Sequence, residues 1–172
     1  MTYTIQALRC GLMRMFCVLF LMMLPSAQAA MSTSWTGTVT HVTDGDTVWV
    51  RPMNGDAPRN IRIVGIDAPE ICQPFGAEAK AALSNRVLGQ YVQVRGHALD
   101  QYGRQLARIH FQGQDMGAWM VSQGLAWSYG QQRHRGGYAA YEAQARQHQL
   151  GLFSQAQSEE PRRFRRRFGS CH

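Results

Sequence analysis

Across 172 residues there is no H-E-x-x-H motif and no set of cysteines and histidines at zinc-ligand spacing. The histidines, at 41, 97, 110, 134, 148 and 172, are scattered, which argues against a zinc peptidase or a structural zinc module. No G-x-S-x-G turn is present, nor a glycine loop of the kind that cradles nucleotide phosphates. Serine-hydrolase and P-loop chemistry are therefore set aside. No segment repeats, which removes solenoids and propellers. Long hydrophobic runs are missing too. The apolar run at 15–24 is about half of the roughly 20 residues a spanning helix needs.

Cysteine is scarce, and its positions divide it. Cys10 and Cys17 fall in an N-terminal segment that has the marks of a processed leader. Arg9 and Arg14 are its basic residues, the apolar run ends before Pro25 and Ser26, and Ala27-Gln28-Ala29 supplies a small-x-small cleavage pattern. Residues 1–29 are expected to be a signal peptide, cut after Ala29, which makes the protein secreted or periplasmic. Cys72 and Cys171 then meet an oxidising compartment, where they either pair or remain free thiols. Pairing would tie the C-terminal tail to the residues just after Glu70. In the chain-entropy model so long a loop stabilises by roughly 4–5 kcal/mol.

Acidic residues are also few, 11 against 18 Lys and Arg, for a formal net charge of +7. The surplus is local. Between residues 31 and 158 eleven basic residues face nine acidic ones, a net of +2, whereas 162–167 alone holds five arginines. Such a balance favours a polyanionic partner, nucleic acid or an anionic surface. An apolar share of 45% suits a folded body. One domain is expected over 30–154, followed by a flexible basic tail at 155–172, whose charges have no periodic apolar support.

Strand patterns fall at 35–42, 47–50, from 61 onward, 91–94 and 106–111. Asp44-Gly45 and Asn54-Gly55 mark turns between the first three. Helical composition occupies 78–88, 115–123 and 138–149, stopped by Gly89, Gly124 and Gly151. Five short strands with one helix between the third and fourth predict a small antiparallel barrel. The expected fold is α+β, mainly β: a five-stranded OB-like barrel packed by about three helices.

The third strand runs into I-R-I-V-G-I-D-A-P-E at 61–70. Arg62, Asp67 and Glu70 thereby gather a cation and two carboxylates near one strand end, which suits metal-assisted work on an anionic substrate. Asp46, in the turn D-G-D-T, would add a second carboxylate beside Asp67 if the two loops meet. Asp44 is expected to bond its own backbone in that turn. Arg104 would join Arg62 on one phosphate if their turns converge, since planar guanidinium forks bind phosphate oxygens in pairs. Tyr102 is a candidate to stack on a base or bond a phosphate. Trp119, Trp127, Tyr129, Tyr138 and Tyr141 are expected mostly in the core, with Tyr129 and Tyr138 the exceptions because glycines and basic residues surround them.

D-G-D-T after the first strand, R-I-V-G-I-D-A-P-E at the third and D-Q-Y-G-R before the fifth occur in that order. Together they resemble the staphylococcal nuclease family. The resemblance covers about 35–153 and extends to G-A-E-A at 76–79, V-S-Q-G-L-A at 121–126 and A-R-Q-H-Q-L-G-L-F at 145–153. It implies an OB-fold barrel and calcium-dependent hydrolysis of DNA and RNA to 3′-phosphate products. By that resemblance Asp46 and Asp67 are calcium-binding carboxylates and Ala68 offers a backbone carbonyl. Glu70 is the general base, and Arg62 and Arg104 bind the scissile phosphate. Tyr102 and Tyr129 are assigned to substrate binding, and the protein is expected to act as a monomer without stable membrane insertion. Three features depart from the pattern: the loop after Glu70 is short and carries Cys72, Gln101 stands where a lysine is familiar, and the arginine-rich tail is extra. The competing reading is a catalytically inactive OB-fold module that only binds nucleic acid.

Overall fold

Alternating valines and isoleucines build the barrel wall. The computed structural model describes residues 34–130 and 137–171; the expected signal peptide, 1–29, lies outside them. The first strands are β1 (Ser34–Val42), β2 (Thr47–Pro52), β3 (Arg59–Ile63) and the two-residue β4 (Ile66–Asp67). Helix α1 (Gly76–Val87) leads to β5 (Tyr91–Leu99), β6 (Gln105–Phe111) and β7 (Gln114–Asp115). Then come α2 (Met116–Ser122), β8 (Trp127–Ser128), α3 (Ala139–Gln147), a 3-10 turn at Gly151–Ser154, and α4 (Pro161–Phe168).

Strands β1, β2 and β3 form an antiparallel meander, and β5 pairs with the free edge of β1 and with β6. β6 returns to β3, with Ile61 opposite Gln105 and Ile63 opposite Ala107, and closes the ring. That closing pair is parallel, so the barrel is mixed rather than antiparallel. Strand patterns do not reveal closure, because the partners are joined only through α1 and β5. The closure matters for the site. It sets Arg62 opposite Leu106, so Arg104, just before β6, emerges at the same end as Arg62.

β5 is longer than its 91–94 pattern. Its register with β6 shifts between Arg95 and Ala98, and Gly96 sits at φ +134 where a Cβ would approach Ala107 Cα to 3.0 Å. This is a bulge that only glycine fits, and it breaks the alternation by which a strand is recognised.

Inside the ring, Val39, Val48, Val50, Ile61, Ile63, Val94 and Ile109 are buried. Burying each such side chain contributes roughly 1.5–3 kcal/mol. Ala79, Leu83 and Val87, four residues apart on α1, turn one face into the same core. A second cluster joins Trp127, Ala145, Leu152 and Phe153, with Phe75 against it.

Asp115 caps α2, accepting from the N–H groups of Gly117 (2.8 Å) and Ala118 (3.2 Å). Its other oxygen accepts a hydrogen bond from the Tyr138 hydroxyl at 2.7 Å. Tyr138 is therefore a core residue, 6% exposed, and not the exception to core placement that its neighbours suggested. Burial, then the bond to Asp115, pushes its phenol up from the ordinary value. Tyr141, expected in the core, is exposed instead. Asp115→Ala removes a helix cap and strands a buried hydroxyl. A loss of about 2–4 kcal/mol is expected, visible as a lower midpoint in thermal melts; an unchanged midpoint would contradict this role.

The tail differs most from expectation. It forms α4, opened by Pro161 in its first turn. Pro161, Phe164 and Phe168 recur at i, i+3 and i+7, and the two phenylalanine rings lie 4.9 Å apart. The apolar period was present but thin, masked by five arginines. Two anchors hold the segment. Gln73 Nε2 donates to the Glu159 carbonyl at 2.5 Å, and Cys72 forms a disulfide with Cys171, Cα atoms 5.9 Å apart.

Candidate active site

The β1–β2 turn delivers Asp46 to the barrel end. Asp44 accepts the Asp46 N–H at 2.9 Å, the expected local bond. Gly45 lets the turn pack inward, since a Cβ there would lie 2.7 Å from Ala68 Cβ and 2.8 Å from Ala79 Cβ. Asp46 Oδ1 accepts from the Thr47 hydroxyl at 3.0 Å, and Oδ2 accepts the Ala68 N–H at 2.8 Å. The Ile63 N–H donates to the Asp46 carbonyl at 2.8 Å, tying the turn to β3.

The two loops do meet. Asp46 and Asp67 are each 5% exposed, and Arg62 lies between them. It ion-pairs with Asp46 Oδ2 and donates to Asp67 Oδ1 at 3.2 Å. Burial raises the Asp67 carboxyl above its ordinary range, and hydrogen bonding from Arg165 and the charge of Arg62 oppose that rise. For Arg62, burial lowers the guanidinium, but Asp46 and Asp67 outweigh it and the net shift is upward.

Glu70 follows Pro69 and closes a turn, its carbonyl accepting from the Gln73 N–H at 2.8 Å and its own N–H donating to Gln73 Oε1 at 3.2 Å. Its side chain accepts from Arg165 Nη1 at 2.8 Å. Arg165, on α4, is the cleft-lining residue that the sequence alone did not single out. The available signal was the Cys72–Cys171 pairing, one of the two alternatives for these cysteines, which would place the tail beside Glu70.

Arg104 is held by Asp100. Its Nε donates to Asp100 Oδ2 at 2.7 Å, its N–H to Oδ1 at 3.0 Å, and its guanidinium lies 5.3 Å from the centroid of the Tyr102 ring. Burial works to raise Asp100, but these bonds from Arg104 prevail and hold the carboxyl below its usual range. Arg62, Arg104, Glu70, Asp46, Ala68, Tyr102 and Tyr129 all line one cleft of about 850 Å³, together with Gln101 and Arg165. Asp67 lies beneath, covered by Arg62 and Arg165. Tyr102 is 74% exposed and Tyr129 44% exposed, so both rings are accessible to a ligand.

Among the described residues no three His, Cys, Asp or Glu side chains cluster as a metal site. The buried carboxylates of Asp46 and Asp67 meet at this end, and the resemblance would add the Ala68 carbonyl as a third donor. All are hard oxygens, so the set fits a calcium-like cation that takes its remaining ligands from water or phosphate, and not zinc.

Burial, with the charge of Asp46 second, pushes the Asp44 carboxyl up to about 7 from 3.8. Between those values the folded chain keeps a proton that the unfolded chain has released. Stability of the metal-free protein therefore falls as pH rises through that window. Asp44→Asn can keep the bond to the Asp46 N–H and should flatten the fall. Melts at about pH 5 and about pH 8 check this, and an identical pH slope in both proteins would refute it.

Residues 60–155 match the family model described as staphylococcal nuclease homologue. The chain belongs to the staphylococcal nuclease family. A protein of Shigella flexneri called micrococcal nuclease is 36% identical over 142 residues, covering 76% of this chain and 80% of that protein. An uncharacterized endonuclease of Haemophilus influenzae is 34% identical over 128 residues, 74% of this chain and 71% of its own length. A staphylococcal-like nuclease of Arabidopsis thaliana is 36% identical over 106 residues, 62% of this chain but only 33% of the plant protein. The matched region of the family model spans β3 to the 3-10 turn. It therefore includes Arg62, Asp67, Glu70 and Arg104, but not Asp46 or α4.

Proposed function

We propose that this family member is an exported, calcium-dependent endonuclease that hydrolyses DNA and RNA phosphodiesters to 3′-phosphate products, acting as a monomer. Membership in a nuclease family makes it a nucleic-acid hydrolase; the finer reading rests on the cleft. The observation that carries it is the meeting of two arginines, a buried carboxylate pair and Glu70 at one barrel end, delivered by the β1–β2 turn, by β3 with the segment that follows it, and by the turn before β6.

Arg62 and Arg104 bind the scissile phosphate through charge-assisted N–H bonds, which tighten as charge builds on its equatorial oxygens. Asp100 orients the Arg104 fork. Glu70 positions a water and accepts its proton while the water oxygen bonds to phosphorus. The P–O5′ bond breaks on the opposite side, and the 5′-oxygen takes a proton from solvent. Asp46, Asp67 and the Ala68 carbonyl would hold calcium, which when bound would add positive charge beside the phosphate. Tyr102 and Tyr129 flank the cleft as base-stacking surfaces that tolerate any sequence. Few protein ligands imply weak calcium binding, towards the roughly 10⁻⁴–10⁻³ M typical of extracellular modules.

The test is plasmid DNA and a folded RNA incubated with the purified protein in calcium, then with excess chelator. Both substrates should be degraded in calcium and spared by the chelator. Nucleic acid that is retarded on a gel but intact in calcium would favour the binding-only reading instead.

A further inference from the structure

A second guanidinium of the chain itself faces Asp67 and Glu70. Arg165 donates from Nη1 to Asp67 Oδ1 at 3.2 Å, from Nη2 to Asp67 Oδ2 at 3.0 Å, and from Nη1 to Glu70 Oε1 at 2.8 Å. Arg62 adds a bond to Asp67 Oδ1 at 3.2 Å. Both oxygens of Asp67 are thus faced by guanidinium groups. A fork bonded to both oxygens occupies the directions from which a metal ion would approach. A guanidinium and a dication on the same carboxylate also repel at contact range in a half-buried site.

Arg165 is not there by chance encounter of a loose tail. Its helix is anchored on both sides, through Glu159 to Gln73 and through Cys171 to Cys72. Both anchor points lie within three residues of Glu70. The guanidinium is therefore presented to Asp67 at high effective concentration, and it stays near the cleft when it lets go.

Resting on the calcium reading above, we propose that Arg165 is an affinity-determining residue of the cation site, a tethered competitor that occupies Asp67 and Glu70 in the metal-free protein and withdraws when calcium binds. Metal binding then includes the work of displacing the arginine. The same contact spares the metal-free chain the repulsion of Asp46, Asp67 and Glu70 with one fewer counter-charge. Arg166, exposed on the same helix, carries the same charge without facing the carboxylates and serves as the control.

The experiment is calcium titration by calorimetry on metal-free protein without nucleic acid, for wild type, Arg165→Gln, Arg166→Gln and Asp67→Asn. If the docked guanidinium outnumbers the withdrawn one by about ten to one, Arg165→Gln should bind calcium about tenfold more tightly. Arg166→Gln should match wild type, and Asp67→Asn should lose binding. Metal-free Arg165→Gln should also melt below wild type yet gain more from saturating calcium. Unchanged or weaker calcium affinity in Arg165→Gln overturns the proposal, and would assign the guanidinium to the bound phosphate instead. Equal tightening in Arg166→Gln overturns it too, because the effect would then be helix charge alone. Absence of calcium binding in every protein, wild type included, is a different failure. It removes the calcium reading itself, and this inference falls with it.

Discussion

Glu70→Gln should slow hydrolysis about 1000-fold, equivalent to roughly 4 kcal/mol of transition-state stabilisation, with substrate affinity little changed. The amide keeps the shape of the carboxyl and an oxygen that can still accept from Arg165. It cannot accept the proton of the attacking water at neutral pH. The loss should appear in kcat and not in KM, because Glu70 is assigned to the water and not to the phosphate. Melting temperature should move little, since Glu70 sits at the cleft surface and its backbone bonds to Gln73 are untouched. A variant that turned over at near wild-type rate would leave Glu70 as a bystander paired with Arg165.

The second large effect is on stability. The Cys72–Cys171 bridge spans 99 residues and encloses every element from α1 to α4, though not β1, β2 and β3. A loop of that length restrains the unfolded chain by roughly 4–5 kcal/mol in the chain-entropy model. Cys171→Ser should therefore lower the urea midpoint by a corresponding amount, and reductant should do the same to wild type but nothing further to the variant. A Cys171→Ser midpoint equal to that of oxidised wild type would show that the bridge does not constrain folding. The Gln73–Glu159 bond remains in the variant, so α4 keeps one of its two anchors.

Much of the barrel and of the site could be read from residues alone, for a physical reason. Strands with one buried face alternate with period two, and β2 and β6 do so plainly, as does β1 up to the register shift after Val39. The polar residues of the cleft sit in turns, where D-G-D-T and D-Q-Y-G-R stand out from the apolar background. What sequence could not show was nonlocal or disguised. The parallel β3–β6 closure that sets Arg62 near Arg104 depends on partners more than forty residues apart. Gly96 interrupts β5 by bulging, so half the strand carries no pattern. Tyr138 has glycine and arginine neighbours in sequence, yet Asp115 draws its hydroxyl into the core.

The tail is the instructive case. Five arginines dominate 161–168 and its apolar spacing rests on three residues, so composition argued for mobility. The helix is held by partners distant in sequence, Cys72 and Gln73, and by ion pairs from Arg165 to Asp67 and Glu70. The disulfide was foreseen as an alternative, but its consequence for the cleft was not, because no local signal distinguishes Arg165 from the arginines around it.

On the proposed function, this cleft hydrolyses phosphodiesters with calcium, with Glu70 serving the water. The most direct test is the initial rate on one DNA substrate as calcium is raised from a chelated baseline, for wild type and Glu70→Gln in parallel. The expected result is a rate that climbs with calcium in wild type and stays near baseline in the variant. Equal calcium-dependent rates in the two proteins, or a wild-type rate indifferent to calcium, would contradict the account.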